Sequence, residues 1–145
     1  MNGMTSAPST RTIGIVIAVT AALTLFHFTD NAVNLETYPG PSWQPDWFEW
    51  VVVASWPIYT VIGIAAYLSY RGDRFPLANV LLVAYSFVGL VSIGHFFTAS
   101  PAELTTRGAI SVFVDITAGS VVLAIAIWSI LARRARSGRN RSAIA

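Results

Sequence analysis

Apolar residues run along this chain in four blocks, at about 12–29, 47–70, 76–98 and 109–131. Each is long enough to cross a bilayer, which takes roughly 17–25 residues. Polar residues inside the blocks fall into stripes. In the first block Thr20, Thr24, His27 and Asn31 follow helical spacing, with Asp30 beside them. In the second, Glu49, Trp56, Thr60 and Gly63 share a face, and Pro57 kinks the helix next to Trp56. In the third, Tyr85, Ser92 and His95 share a face, with Gly89 opening room between them. In the fourth, Ser111, Asp115 and Gly119 recur every fourth position. Such stripes avoid lipid by facing each other. The pattern predicts an all-α fold, an integral membrane four-helix up-and-down bundle.

Depth follows from the helical rise. Taking the arginine-rich end as zero, Asp115 lies about 27 Å above Arg133 and His95 about 28 Å above Pro76. His27 lies about 24 Å and Asp30 about 28 Å above Arg11, and Glu49 about 33 Å above Arg71. In a hydrocarbon core about 30 Å thick, these residues gather near one boundary. "HFTDN" (27–31) is then one wall of a polar pocket.

Composition agrees with a membrane protein. The chain is 54% hydrophobic and 11% charged, whereas a soluble domain carries about a quarter charged residues. The basic residues are all arginine, and five of them lie between Arg133 and Arg141. This clustering assigns the basic charge to a tail rather than to a nucleic-acid surface. With Arg11, Arg71, Arg74 and the tail on one side and Arg107 alone on the other, both termini are expected in the cytoplasm. The domain reading is therefore an N-terminal tail (1–11), a bundle (12–132) and a basic tail (133–145) in a bacterial cytoplasmic membrane. The first block exceeds the usual signal-peptide core of about 7–15 residues, so it is read as a retained helix. Absence of cysteine excludes disulfides and thiolate metal sites.

The connections carry their own signals. "RGDR" (71–74) reads as a tight turn before Pro76, and "SPAE" (100–103) as a capping box that starts the fourth helix at Pro101. "NLETYPGPSWQPDW" (34–47) reads as a stiff interfacial cover.

The candidate site comprises His27, Asp30, Asn31, Glu49, Trp50, Trp56, Tyr59, Tyr85, His95 and Asp115. Asp30 and Asn31 equally suit a helix end among headgroups, and Glu49 suits a first-turn carboxylate favoured by the helix dipole. Serine and threonine stripes often only bond neighbouring helices. Asp115 is different, because an aspartate at a helix centre costs about 2.5–3.5 kcal/mol on insertion scales. Its expected partners are His95, His27 and Arg107.

The order of features resembles the EXPERA family, which includes the sigma-2 receptor and the emopamil-binding sterol isomerases. The matching residues are Asp30, "YP" (38–39), "PDWF" (45–48), Pro57 with Tyr59, "AAY" (65–67) and "RFP" with "VLLVAYS" (74–76 and 80–86). They span roughly residues 27 to 90. The resemblance implies that Asp30 lies in a ligand cavity. The family's helix-2 glutamate falls on Val51, with Glu49 displaced by two, so the acid–base pair of the isomerases is not reproduced.

Three functional readings follow. The first is a pocket for a lipid-like or cationic amphiphilic molecule, lined by the carboxylates and by Trp50, Trp56 and Tyr59, with isomerase chemistry as its enzymatic form. The second is a haem or metal site on His27 and His95. The third is an accessory subunit of a membrane complex. The expected partners are membrane lipids and a hydrophobic small molecule, with either a homo-oligomer or another membrane subunit; no metal or cofactor is assigned.

Overall fold

The computed structural model describes residues 6–34, 37–38, 47–98 and 103–142. Helix α1 (Thr10–Val33) is opened by Ser9, whose Oγ accepts the Thr12 amide hydrogen at 3.1 Å. This N-cap satisfies one of the amides that a helix start leaves unpaired. Helix α2 (Phe48–Arg71) carries Pro57 inside it. Helix α3 (Phe75–Leu90) begins with Pro76 in its first turn, where a missing amide hydrogen costs nothing. It passes into a 3₁₀ turn over Val91–Gly94 and a short helix α4 (His95–Thr98). Helix α5 (Thr106–Ser142) completes the set, and no strand occurs among the described residues.

The turn after α2 is a Schellman motif. Arg74 N–H donates to Ser69 O at 2.9 Å and Asp73 N–H to Tyr70 O at 3.2 Å. Asp73 takes the left-handed position, with φ 58°, that glycine usually occupies. Aspartate is among the few non-glycine residues that enter this region with little strain.

Helices α1, α2, α3 and α5 form a ring in which α1 packs on α2, α2 on α3, α3 on α5 and α5 on α1. Helices α1 and α3 therefore face each other across the bundle. At the arginine-rich end and middle the interior is mainly apolar, built from Ile13, Ile17, Ala78, Leu82, Val88, Val122 and Ala126, with Thr20, Thr24, Asn79, Ser86 and Ser129 buried among them. Outside, Ile15, Val19, Ile58, Val61, Val80, Phe87 and Phe113 are exposed. Apolar surface on every helix is incompatible with water, and all four long helices have the length and hydropathy to cross a membrane. The protein is an integral membrane four-helix bundle.

The fourth membrane helix starts at Thr106 rather than at the expected Pro101. Residues 103–105 are not helical, and Thr105 Oγ1 accepts the Gly108 amide hydrogen at 3.0 Å as the cap. The third block is not one continuous helix, because Val91–Gly94 tighten into 3₁₀ geometry. In that geometry positions three apart eclipse, so Ser92 and His95 lie on one face. The basic segment from Arg133 continues α5 as helix to Ser142. The outer cover (39–46), most of "SPAE" and the side chain of Glu49 lie outside the described residues.

Helices α3 and α5 meet backbone to backbone. A Cβ on Gly89 would overlap the Asp115 carbonyl oxygen, and one on Gly119 would stand 2.5 Å from the Ser86 carbonyl oxygen. These two glycines let the helices approach closely enough for Asp115 to reach the side chains of the neighbouring helix.

Candidate functional site

At the end of the bundle away from the arginine cluster, the interior is polar. His27, Asp30, Asn31, Ser92, Ser111 and Asp115 are all buried there. Helix α1 supplies the first three through its stripe, the 3₁₀ turn supplies Ser92, and α5 supplies Ser111 and Asp115 one turn apart.

Asp30 is saturated with donors. Arg107 Nε lies 2.6 Å from Oδ1, and Asn34 Nδ2 donates to the same oxygen at 3.0 Å. Tyr38 Oη donates to Oδ2 at 2.5 Å, and Ser111 Oγ lies 3.4 Å from it. The Arg107 side chain is 62% exposed while that of Asp30 is 2% exposed, so the pair marks the mouth of the site. Burial, and then the bond to Asp30, pushes the Tyr38 phenol up from 10.0 to about 12. It therefore stays a proton donor at physiological pH.

From this mouth, contacts continue inward without a gap. Tyr38 Oη lies 2.7 Å from Ser111 Oγ, and Ser111 Oγ lies 3.2 Å from His27 Nδ1. On the far side of the ring, His27 Nε2 lies 3.1 Å from Ser92 Oγ, which donates to Asp115 Oδ2 at 2.6 Å. His27 Nε2 is itself 3.9 Å from that oxygen. Asp115 is 0% exposed, and its Oδ1 has no hydrogen-bond partner among the described residues.

These contacts support two arrangements of protons. In one, Ser111 donates to Nδ1, Nε2–H donates to Ser92, and Ser92 donates to a carboxylate Asp115. In the other every bond reverses: Asp115 O–H donates to Ser92, Ser92 to Nε2, and Nδ1–H to Ser111. The second holds one more proton, which passes to Ser111 from the Tyr38 hydroxyl as that hydroxyl takes one from the Asp30 side, and neither requires a charged imidazole. A serine on each side of a histidine can thus carry a proton between the mouth and Asp115.

His95 joins from the side. Its Nε2 lies 3.2 Å from Asn31 Nδ2, and its ring is edge-on to His27 at 5.5 Å between centroids. That separation is direct ring contact, so a haem between the two histidines would have to force them apart. Among the described residues no group of three or more metal-ligating side chains gathers.

The remaining expected site residues lie elsewhere. Trp56 Nε1 donates to Ala21 O at 3.0 Å, and Tyr85 Oη donates to Ile17 O at 3.2 Å, both toward the middle of the bundle. Tyr59 packs half-buried against the apolar core, and Trp50 is 67% exposed. Of the expected partners of Asp115, His27 approaches it, whereas Arg107 pairs with Asp30. Tyr38 is the member that no stripe predicted. It reaches the site from the loop after α1, and loop return is not encoded in helical spacing.

No family model, curated protein or solved structure matches this chain. The class of the protein therefore rests on its own fold: an integral membrane four-helix bundle with a buried polar network at one end.

Proposed function

We propose that this protein takes up a proton from the outer membrane face and stores it on Asp115, as a proton-responsive membrane protein. The unbroken chain Asp30–Tyr38–Ser111–His27–Ser92–Asp115 carries this reading; it ends on Asp115 Oδ2, while the other carboxylate oxygen, Oδ1, has no partner among the described residues. Asp30 and Arg107 form the entrance, His27 is the two-sided carrier, and Asp115 is the acceptor. Intramembrane ionisable residues that line proton relays are held in this way by partners inside the bundle. Beyond Asp115 the hydrogen-bonded chain does not continue: Val88, Leu82, Val122 and Ala126 fill much of the interior, and the buried Thr24 and Ser86 donate to carbonyls of their own helices, which favours a loading site over a channel. The arginine bias supports an orientation with both termini in the cytoplasm and the entrance outside.

Infrared difference spectra in lipid vesicles test this directly. Acidifying the outer side should raise a carboxylic-acid C=O band that is missing in Asp115→Asn and strongly reduced in His27→Leu. If no such band titrates, or Asp115→Asn retains it, the relay reading fails.

One observation also favours the lipid-like or cationic amphiphile as ligand. The unpartnered Oδ1 of Asp115 matches an ammonium donor. On this second reading, such amines raise the melting temperature of the wild type by mass action and leave Asp115→Asn unmoved. Neutral sterols serve as the control.

A further inference from the structure

The opposite end of the bundle contains a second set of unsatisfied groups that the relay does not use. Between α3 and α5 a groove of about 560 Å³ opens on the lipid-facing surface. Its walls are Val80, Val83 and Ile130, with Asn79 at its side and Arg133 and Arg134 at its mouth. That volume lies within the range of small-molecule sites, roughly 300–1,000 Å³.

The polar groups here are held in place but incompletely bonded. The Arg133 guanidinium stacks on Phe75, 3.0 Å from the ring centroid, and its Nη2 donates to Tyr70 Oη at 3.3 Å. This packing fixes the guanidinium, yet Arg133 Nε has no hydrogen-bond partner among the described residues. Asn79 is 8% exposed, and its Oδ1 is likewise unpartnered. Neither Arg133 nor Arg134 forms an ion pair among the described residues. Two cations without a carboxylate partner among the described residues, beside an apolar slot, match a molecule with an anionic head and a hydrocarbon tail.

We propose that this groove binds one anionic phospholipid, with its phosphate on Arg133 and Arg134 and an acyl chain along Val80, Val83 and Ile130. A planar guanidinium recognises phosphate through paired donors, and basic pockets between membrane helices hold anionic headgroups in this way. A free phosphate would use the arginines but leave the apolar slot unfilled. The proposal does not depend on the relay at the other end.

Native mass spectrometry of the purified protein, titrated with dioleoyl phosphatidylglycerol or dioleoyl phosphatidylcholine, provides the test. The wild type should retain one phosphatidylglycerol about tenfold more tightly than phosphatidylcholine. Arg134→Gln combined with Arg133→Lys, which keeps a cation over Phe75, should remove that preference while circular dichroism shows unchanged helix content. Val80→Trp should fill the slot and weaken phosphatidylglycerol binding with both arginines intact. Arg11→Gln, outside the groove, should behave as wild type. Equal retention of the two lipids, or wild-type affinity in both the arginine and the Val80 variants, would overturn the proposal. Complete displacement of the lipid by inorganic phosphate at matched concentration would overturn it too, as the mark of a free-anion site.

Discussion

At the scale of single residues, Ser92 and Tyr38 decide how the network behaves. Ser92 is the only described hydrogen-bond donor to Asp115 and stands between it and His27. Ser92→Ala should therefore lower stability by about 1–3 kcal/mol, the usual cost of stripping a donor from a buried polar group. Ser92→Thr should restore most of the loss, because it returns the hydroxyl. Thermal melts of the three proteins check this, and equal melting of Ser92→Ala and wild type would show that the bridge carries no energy. Tyr38 makes a prediction about pH. Its phenol is raised from 10.0 to about 12 in the folded protein, so the folded state keeps a proton that the unfolded chain loses over that interval. Its contribution is complete below pH 10 and is lost as pH rises through about 12. Tyr38→Phe should thus be less stable at neutral pH and show a shallower decline between pH 10 and 12 than wild type, as read from chemical-denaturation midpoints at each pH.

At the scale of elements, the contact of α3 with α5 sets the site's geometry. Gly119→Ala places a methyl against the Ser86 carbonyl oxygen and the Leu90 amide nitrogen, both backbone atoms that cannot swing aside. The helices must separate, at a cost of about 1–3 kcal/mol for an overpacked interior. Ser92 should then lose its short bond to Asp115, so Gly119→Ala should weaken both the fold and the infrared signature of the relay. An alanine variant that melts like wild type would refute the close approach. Much of this was legible beforehand. Four-residue spacing put Ser111, Asp115 and Gly119 on one face, and the Gly89 gap lay opposite. Counting residues per turn also brought His27, Asp30, His95 and Asp115 to one depth. It put Ser92 and His95 on one face, as the structure does, but it did not foresee that the helix tightens into 3₁₀ geometry over Val91–Gly94. It also could not rank partners for Asp115, since periodicity gives a residue's face and depth but not which of several neighbours its side chain meets. Trp50 illustrates a further limit: a membrane helix exposes apolar and aromatic residues to lipid, so an aromatic near the right depth is weak evidence for a pocket wall.

At the scale of the whole molecule, the two ends of the bundle are chemically opposite. One end is a buried network whose mouth is the single exposed Arg107 paired with Asp30, and the other is a rim of arginines above an apolar groove. That asymmetry predicts the orientation in the membrane. Arginine-rich flanks are retained on the cytoplasmic side, and the rule counts positive residues close to helix ends. Arg11, Arg71, Arg74, Arg133 and Arg134 flank the helices at one end of the bundle, whereas Arg107 flanks at the other and is occupied by Asp30. A cytoplasm-active reporter fused after Ala145 should therefore be active, and one inserted at Gly40 should be silent there but active when it requires an outside location. The relay makes the result consequential for function. With this orientation the proton enters from outside, and acidifying the exterior of cells should change the Asp115 infrared band faster than acidifying the interior. A C-terminal reporter active only outside would reverse the direction of proton entry while leaving the hydrogen-bonded chain intact.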